Sequence, residues 1–303
     1  MRKTMKRFAV ALVGLVLAFV AVLLPRAPRN NVAAPDVAAA QPVLMVNGRV
    51  DLTTRPYDKA AYVTTHNAMS SRDAGFIFPN QIGGLRKQLE DGVRAMMLDV
   101  HEFEGRPMLC HSYCELGGFA LVDGLVEIRE FLDAEPNEVV TLILESYVPA
   151  ETLALEFADS GILRYAHVQS PGEPWPTLGR MVLEDQRLVV FTDDNTAGLP
   201  WLHNVWRFAW DTNWNVSSLE QFNCNCSRGD TSSSLMILNN FVSNPLPAPG
   251  NAEQTNASAF LLDRSLLCWE RSGRIPNFVT VDYYEVGDVF AVVDRLNSLA
   301  GAA

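Results

Sequence analysis

Eight short apolar runs recur along this chain. Nearly every one has an ionisable residue at or just after its end, and helical spacing fills most of the gaps between them. The runs are AYVTTH (61–66), VRAMMLDV (93–100), RPMLCH (106–111), EVVTLILESY (138–147), QRLVVFTDD (186–194), NVWRFAW (204–210), SSLMILNNF (233–241) and NFVTVDYYE (277–285). Several are apolar at successive positions, as strands buried on both faces of a parallel sheet are. Between them lie GLRKQLEDG, LVDGLVEIREFLDAEP, AETLALEFADSGI, PTLGRMVLED and ASAFLLDRSLLCWERSG, with apolar residues at helical intervals. This alternation predicts an α/β fold, an irregular (β/α)8 barrel of the TIM type over residues 48–303. The link from 100 to 106 is too short for a helix, so a β-turn is expected there. An open doubly wound sheet is the alternative, but no glycine-rich phosphate loop follows any run.

The N-terminus reads differently. MRKTMKR is basic, and residues 8–24 are apolar without interruption, the pattern of a signal peptide or a signal anchor. Residues 25–47, rich in Ala, Pro and Asn, read as a tether. The body is therefore expected to be secreted or extracytoplasmic, with membrane attachment through this segment if it is retained. Six of the 24 Lys and Arg fall in residues 1–30, which hold no acid; the remainder sets 18 basic against 35 acidic residues, a net charge of −17. Such a body is repelled by nucleic acid and by anionic surfaces. It is expected to be a monomer.

Cysteines in an exported chain are disulfides by default. Cys110 and Cys114 are close enough to bridge locally, and Cys224 or Cys226 is expected to pair with Cys268. The spacings match no common zinc pattern.

In a barrel the chemistry collects where strands end. His66 and Asn67 close the first run, Asp99 and His101 the second, His111 the third, Glu145 the fourth and Asp193 the fifth; Asp211 follows the sixth and Asp282 closes the last. Two histidines on neighbouring strands suit a general base and a general acid near neutral pH, as cleavage of a phosphodiester by an internal hydroxyl requires. Asp282 is expected to hold His66 in one tautomer. Asn67, Asp99 and Glu145 are hard oxygen ligands suited to Ca²⁺ or Mg²⁺ bridging a phosphate. His167 and His203 lie in loop-like context and read as structural. The RGD at 228–230 and the N-x-S sequons at Asn215, Asn225 and Asn256 are too common to carry weight alone.

YVTTHNAMS, DGVRAMMLDVHEFEGRPMLCHSYC and NEVVTLILESYV together resemble the X domain of phosphatidylinositol-specific phospholipase C, closest to the secreted plant and fungal type. The likeness continues in PWPTLGRMVLEDQRLVVFTDD and RIPNFVTVDYYEVGD and covers most of residues 57–297. It implies an irregular TIM barrel, His66 as base, His111 as acid, and Asn67, Asp99 and Glu145 as the calcium set. Where calcium-dependent members carry a second acid, two residues after Asp99, this chain has His101; bacterial members carry an Arg there. The resemblance thus leaves two expectations: Ca²⁺ with Glu102 or Glu104 as substitute ligand, or a protonated His101 contacting phosphate. Arg207, Trp210 and Asp211 in the aromatic stretch WLHNVWRFAWDTNW are the candidates for the headgroup, with core packing as the plainer role for the tryptophans. The reading is an exported phosphodiesterase acting on a phospholipid or similar phosphodiester through a cyclic phosphate. A metal-dependent glycerophosphodiesterase-like hydrolase and a non-catalytic binding protein on the same scaffold are the rivals.

Overall fold

A computed structural model describes residues 43–242 and 246–301. The apolar N-terminal segment and the tether up to residue 42 lie outside the described residues. Residues 43–47, read above as the end of the tether, join the body: Val46 is fully buried and bridges to Arg49, and the Asn47 side chain accepts the Val139 amide.

Eleven strands follow in chain order: β1 (Tyr62–Thr65), β2 (Ala95–Phe103), β3 (Arg106–Leu109), β4 (Phe119–Ala120), β5 (Val140–Ser146), β6 (Leu188–Thr192), β7 (Leu202–Asn204), β8 (Ala209–Thr212), β9 (Cys226–Gly229), β10 (Leu235–Asn239) and β11 (Phe278–Val281). The helices are α1 (Leu85–Asp91), α2 (Leu121–Ala134), α3 (Ala150–Asp159), α4 (Leu178–Leu183), α5 (Pro249–Thr255), α6 (Ser258–Ser272) and α7 (Val289–Ala300). Parallel ladders join β7-β6-β5-β2-β1-β11-β10-β8 into one curled sheet. Among the described residues β7 and β8 share no ladder, so the barrel is open at that seam.

Eight parallel strands match the expected number, but two of the expected strands differ. RPMLCH is β3, an antiparallel return off β2 that also carries β4, and it is not a stave of the ring. NVWRFAW divides into the end of β7, a 3-10 turn over Val205–Arg207 and the start of β8. The largely apolar look of these seven residues hides that turn.

Strand alternation sorts the core. Tyr62, Ala95, Ile143, Phe191, Ile237 and Phe278 pack together inside the barrel. Their neighbours Val63, Met96, Leu142, Val190 and Val279 pack outward with helix residues such as Leu125, Phe157, Leu261 and Val292. Tyr57 and Trp175 add to the inner cluster, with ring centres 4.5 Å apart and the Tyr57 hydroxyl 2.7 Å from Thr141 Oγ1. Filling the inside with large apolar side chains leaves the C-terminal ends of the strands for ionisable groups.

Candidate active site

Continuing each inner row by two residues gives the site. Met97 is followed by Asp99 and His101, Ile143 by Glu145, Phe191 by Asp193, and Ile237 by Asn239; the residues that follow line a cleft of about 490 Å³ together with His66, Asn67 and His111. Asp99 and Glu145 are direct partners in the β2–β5 register. His111 arrives by another route. β2 overruns the rim, turns at 104–105, and β3 descends beside it until the Cys110 amide donates to the Asp99 carbonyl at 3.3 Å. The antiparallel return therefore brings His111 down to the level of Asp99.

His66 Nδ1 lies 2.9 Å from Asp282 Oδ1, which also accepts from Asn80 Nδ2 at 3.0 Å. Phe241 stacks on the imidazole at 3.7 Å. With Nδ1 directed at a carboxylate, Nε2 is left as the free basic nitrogen. Asn67 Nδ2 is 3.4–3.5 Å from the two ring nitrogens of His111. Burial, and then the neighbouring His66, push the His111 imidazole below the ordinary histidine value.

The residue after each of these three groups takes the left-handed backbone conformation without being glycine: Asn67 (φ 46°) after His66, Ser112 (φ 62°) after His111, and Tyr283 (φ 46°) after Asp282. Such conformations cost about 1–3 kcal/mol each and persist where surroundings impose them. Here a disulfide joins Cys110 to Cys114 around Ser112, and the Tyr283 amide donates to Asn80. Each turn stops the strand and leaves the preceding side chain at the rim.

Three carboxylates gather on one side of the cleft. Asp99 is only 6% exposed, and burial, then Glu145 and Asp193, raise its carboxyl well above the usual range. Asp193 is raised by burial, against the Ser146 amide that it accepts at 3.1 Å. Tyr147 donates its hydroxyl to Glu145 and stacks on His101 at 4.2 Å. Asn67, Asp99, Glu145 and Asp193 supply hard oxygen donors of the kind Ca²⁺ takes. Among the described residues no three His, Cys, Asp or Glu form a preset metal cluster.

Several expectations need correction. Glu102 and Glu104 are exposed and line no part of the cleft; Glu102 falls on the outward parity of β2 and Glu104 in the hairpin turn. His101 lines the cleft, where burial lowers its pKa as it does that of His111; its Nε2 is buried and has no partner among the described residues. Arg207 is exposed on the 3-10 turn outside the cleft, and Trp210 is buried outside the barrel against Met236, Leu238 and Cys268. The reason is parity: β8 starts at Ala209, which directs Ala209 and Asp211 inward and Trp210 outward. Asp211 is fully buried and holds Arg228, the cation that sequence reading passed over. Trp206, Trp214 and Arg228 form that wall of the cleft. Cys224, not Cys226, pairs with Cys268, and Cys226 is free. His167 and His203 are buried away from the cleft, hydrogen-bonded to Gln186, Gln169 and a backbone carbonyl.

Residues 52–297 match a family model described as PI-PLC X. A PI-PLC X domain-containing protein of Arabidopsis thaliana is 31% identical over 286 residues, 86% of this chain and 65% of that protein. An uncharacterized secreted protein of Arthroderma benhamiae is 26% identical over 286 residues, 84% of this chain and 64% of that protein. The chain thus spans a little under two thirds of these two relatives. The phosphatidylinositol-specific phospholipase C of Staphylococcus aureus superposes with a TM-score of 0.53 at 12% identity, covering 81% of this chain and 98% of that one, which shows a shared fold.

Proposed function

The chain belongs to the PI-PLC X family, and from that membership we propose that it is an exported phosphodiesterase cleaving a lipid or lipid-like phosphodiester by acid–base catalysis. The scaffold is phosphodiesterase-like. The observation that carries the reading is the pairing of His66 with Asp282 at 2.9 Å while His111 faces the same cleft. His66 Nε2 takes the proton of a hydroxyl adjacent to the phosphate. That oxygen bonds to phosphorus, the bond to the leaving oxygen breaks, and His111 protonates the departing alkoxide. The products are a cyclic phosphate and a free alcohol, here diacylglycerol or a similar lipid. Asn67, Asp99 and Glu145, with Asp193, would hold Ca²⁺, which supplies charge for the equatorial phosphate oxygens. Export is supported by the basic and apolar N-terminal pattern and by the relative named as secreted. No helix among the described residues is long and apolar enough to cross a membrane.

Phosphorus NMR of the reaction with phosphatidylinositol and lysolipids, with and without Ca²⁺, tests this. A cyclic phosphate is the expected first product. A linear phosphate alone, without a cyclic intermediate, would favour metal-activated water. No turnover of any diester would favour a binding protein.

A further inference from the structure

The parallel strands run from a floor to the rim that carries the cleft, and the floor holds a cavity of its own. It measures about 320 Å³, within the range of small-molecule sites. Its wall comes from residues that precede β1, β10 and β11 and from the ends of α6 and α7, so it lies at the end of the barrel opposite His66 and His111. Arg55, Lys59 and Arg274 line it, with Asp58 as the one acid among its lining residues. The rest of the body runs the other way: beyond residue 30 it sets 18 basic against 35 acidic residues. The cleft does the same, with Arg228 against Asp99, Glu145 and Asp193. Three cations on one small wall of an acidic body make a local field that draws anions.

The needs of the fold account for the first of these cations, for part of the second and not for the third. Arg55 is 7% exposed and already committed: Nη1 donates to the Asn297 carbonyl in the last turn of α7 at 2.7 Å, and Nη2 to Asp51 at 2.8 Å. Lys59 meets Asp58 at 3.1 Å, but it is 57% exposed and its ammonium keeps two further donors. Arg274 meets no carboxylate among the described residues. Gly273, left-handed at φ 67°, ends α6 and turns the chain, and the Ser272 hydroxyl accepts the Arg274 amide at 3.2 Å. The side chain then donates from Nη2 to the Ser232 carbonyl at 3.0 Å, and its Nε and Nη1 donate to no described atom. Ser234 lines the same space. Its oxygen accepts the Trp175 indole N–H at 2.9 Å, which leaves the hydroxyl proton to give. Trp269 adds an aromatic surface to the wall.

We infer that this floor cavity is a binding site for a small organic oxyanion, a carboxylate or phosphate carried on an apolar ring. Arg274, Lys59 and Ser234 hold the oxyanion, Arg55 adds positive charge behind them, and Trp269 packs on the ring. Donors from a guanidinium and an ammonium to an anionic oxygen are the strong kind of hydrogen bond. The site is separate from the proton-transfer groups and stands whether or not the chain is a phosphodiesterase.

Calorimetry on the full chain in EDTA, with phenyl phosphate, benzoate and inorganic phosphate as probes, tests this. At least one ring-bearing anion should bind with a Kd of about 1 mM or below, as two charge-assisted contacts give. The tighter of the two identifies the oxyanion. Inorganic phosphate should bind more weakly than phenyl phosphate, because it leaves Trp269 uncovered, and benzyl alcohol, with the ring and no charge, should not bind. Arg274→Gln should weaken the tighter probe by about tenfold, as loss of one charge-assisted hydrogen bond does. Arg274→Lys should fall between. Lys59→Gln, at an exposed position whose replacement leaves the packing intact, should weaken it by a smaller factor. His66→Ala and Arg228→Gln, both in the cleft, should bind the probe as the wild type does. A wild type that binds neither ring-bearing anion overturns the proposal, and so does unchanged affinity in Arg274→Gln and Lys59→Gln. Binding lost in His66→Ala or Arg228→Gln but kept in the two floor variants would place the anion in the cleft and also overturns it.

Discussion

The wall carrying His66, Asp282 and His111 and the wall carrying Arg228 face one cleft, yet they are held by different means. His66 and Asp282 extend from β1 and β11, two staves paired in register and buried along their whole length. His111 hangs from the β2–β3 return and is fixed by a local disulfide. Arg228 sits on β9, whose four residues are all exposed and which touches the ring only through β8. Its position depends on one buried carboxylate, one glycine and the Cys224–Cys268 disulfide just before the strand. Proton transfer tolerates little misplacement, so it belongs on the rigid core. Arg228 sits on an added hairpin, where residues change without disturbing the barrel.

The largest expected effect separates the two walls most sharply. His66→Ala or His111→Ala should lower kcat about ten-thousandfold on every diester alike, since each removes a proton-transfer partner for all substrates. Arg228→Gln leaves both histidines in place and should lower it far less. Steady-state kinetics on phosphatidylinositol and lysolipids check this, and a His66→Ala enzyme whose loss depended on headgroup would erase the distinction between the walls. Next in size, Asp282→Asn should lower kcat about a hundredfold with the fold retained, because the amide no longer fixes the imidazole proton on Nδ1. Unchanged kcat in that variant would remove Asp282 from the mechanism.

The pH profile sharpens the same side of the comparison. His111 must start protonated to act as acid, and burial holds its pKa below the ordinary 6.5. The protonated form is therefore lost as pH rises through that lowered value. kcat/KM should fall on the alkaline side from a point below 6.5. A profile still rising at neutral pH would exchange the roles of the two histidines.

The same contrast explains what could be read from the sequence. His66, Asn67, Asp99, Glu145 and Asp282 were legible because each ends an apolar run, and a barrel puts run ends together. His111 was legible only as a run end; that its strand is an antiparallel return, not a stave, depends on pairing no local pattern encodes. Arg207 and Trp210 looked suitable because they neighbour other aromatics, but a 3-10 turn resets the strand parity before Ala209. Arg228 follows NCNCS in a polar, exposed stretch, and what brings it to the cleft is Asp211, seventeen residues earlier and on another strand. A buried carboxylate needs hydrogen-bond donors or a cation, but the burial of Asp211 is seen only in the fold, and no local pattern names Arg228 as its partner.

The smallest expected effect concerns the carboxylate that pays for its place. Asp99 is nearly buried between Glu145 and Asp193, and its carboxyl is raised well above 3.8 by burial first and by those neighbours second. A raised carboxylic pKa means the folded state holds its proton more tightly than the unfolded chain does. The associated stability is present below 3.8 and lost as pH rises towards the folded value. At neutral pH without a cation, Asp99 is therefore a liability, and Asp99→Asn, of the same shape, should raise Tm by about 3 °C in EDTA while lowering activity. The difference should vanish below pH 3.8, where the carboxyl is neutral in both states. Saturating Ca²⁺ should reverse the order, because a ligand bound only by the folded wild type stabilises it by mass action and the Asn variant binds it less well. Thermal unfolding of both proteins with EDTA and with Ca²⁺ reads all of this. A lower Tm for Asp99→Asn in EDTA would show that the three carboxylates are satisfied as they stand, and a Ca²⁺ response equal in the two proteins would move any calcium away from β2.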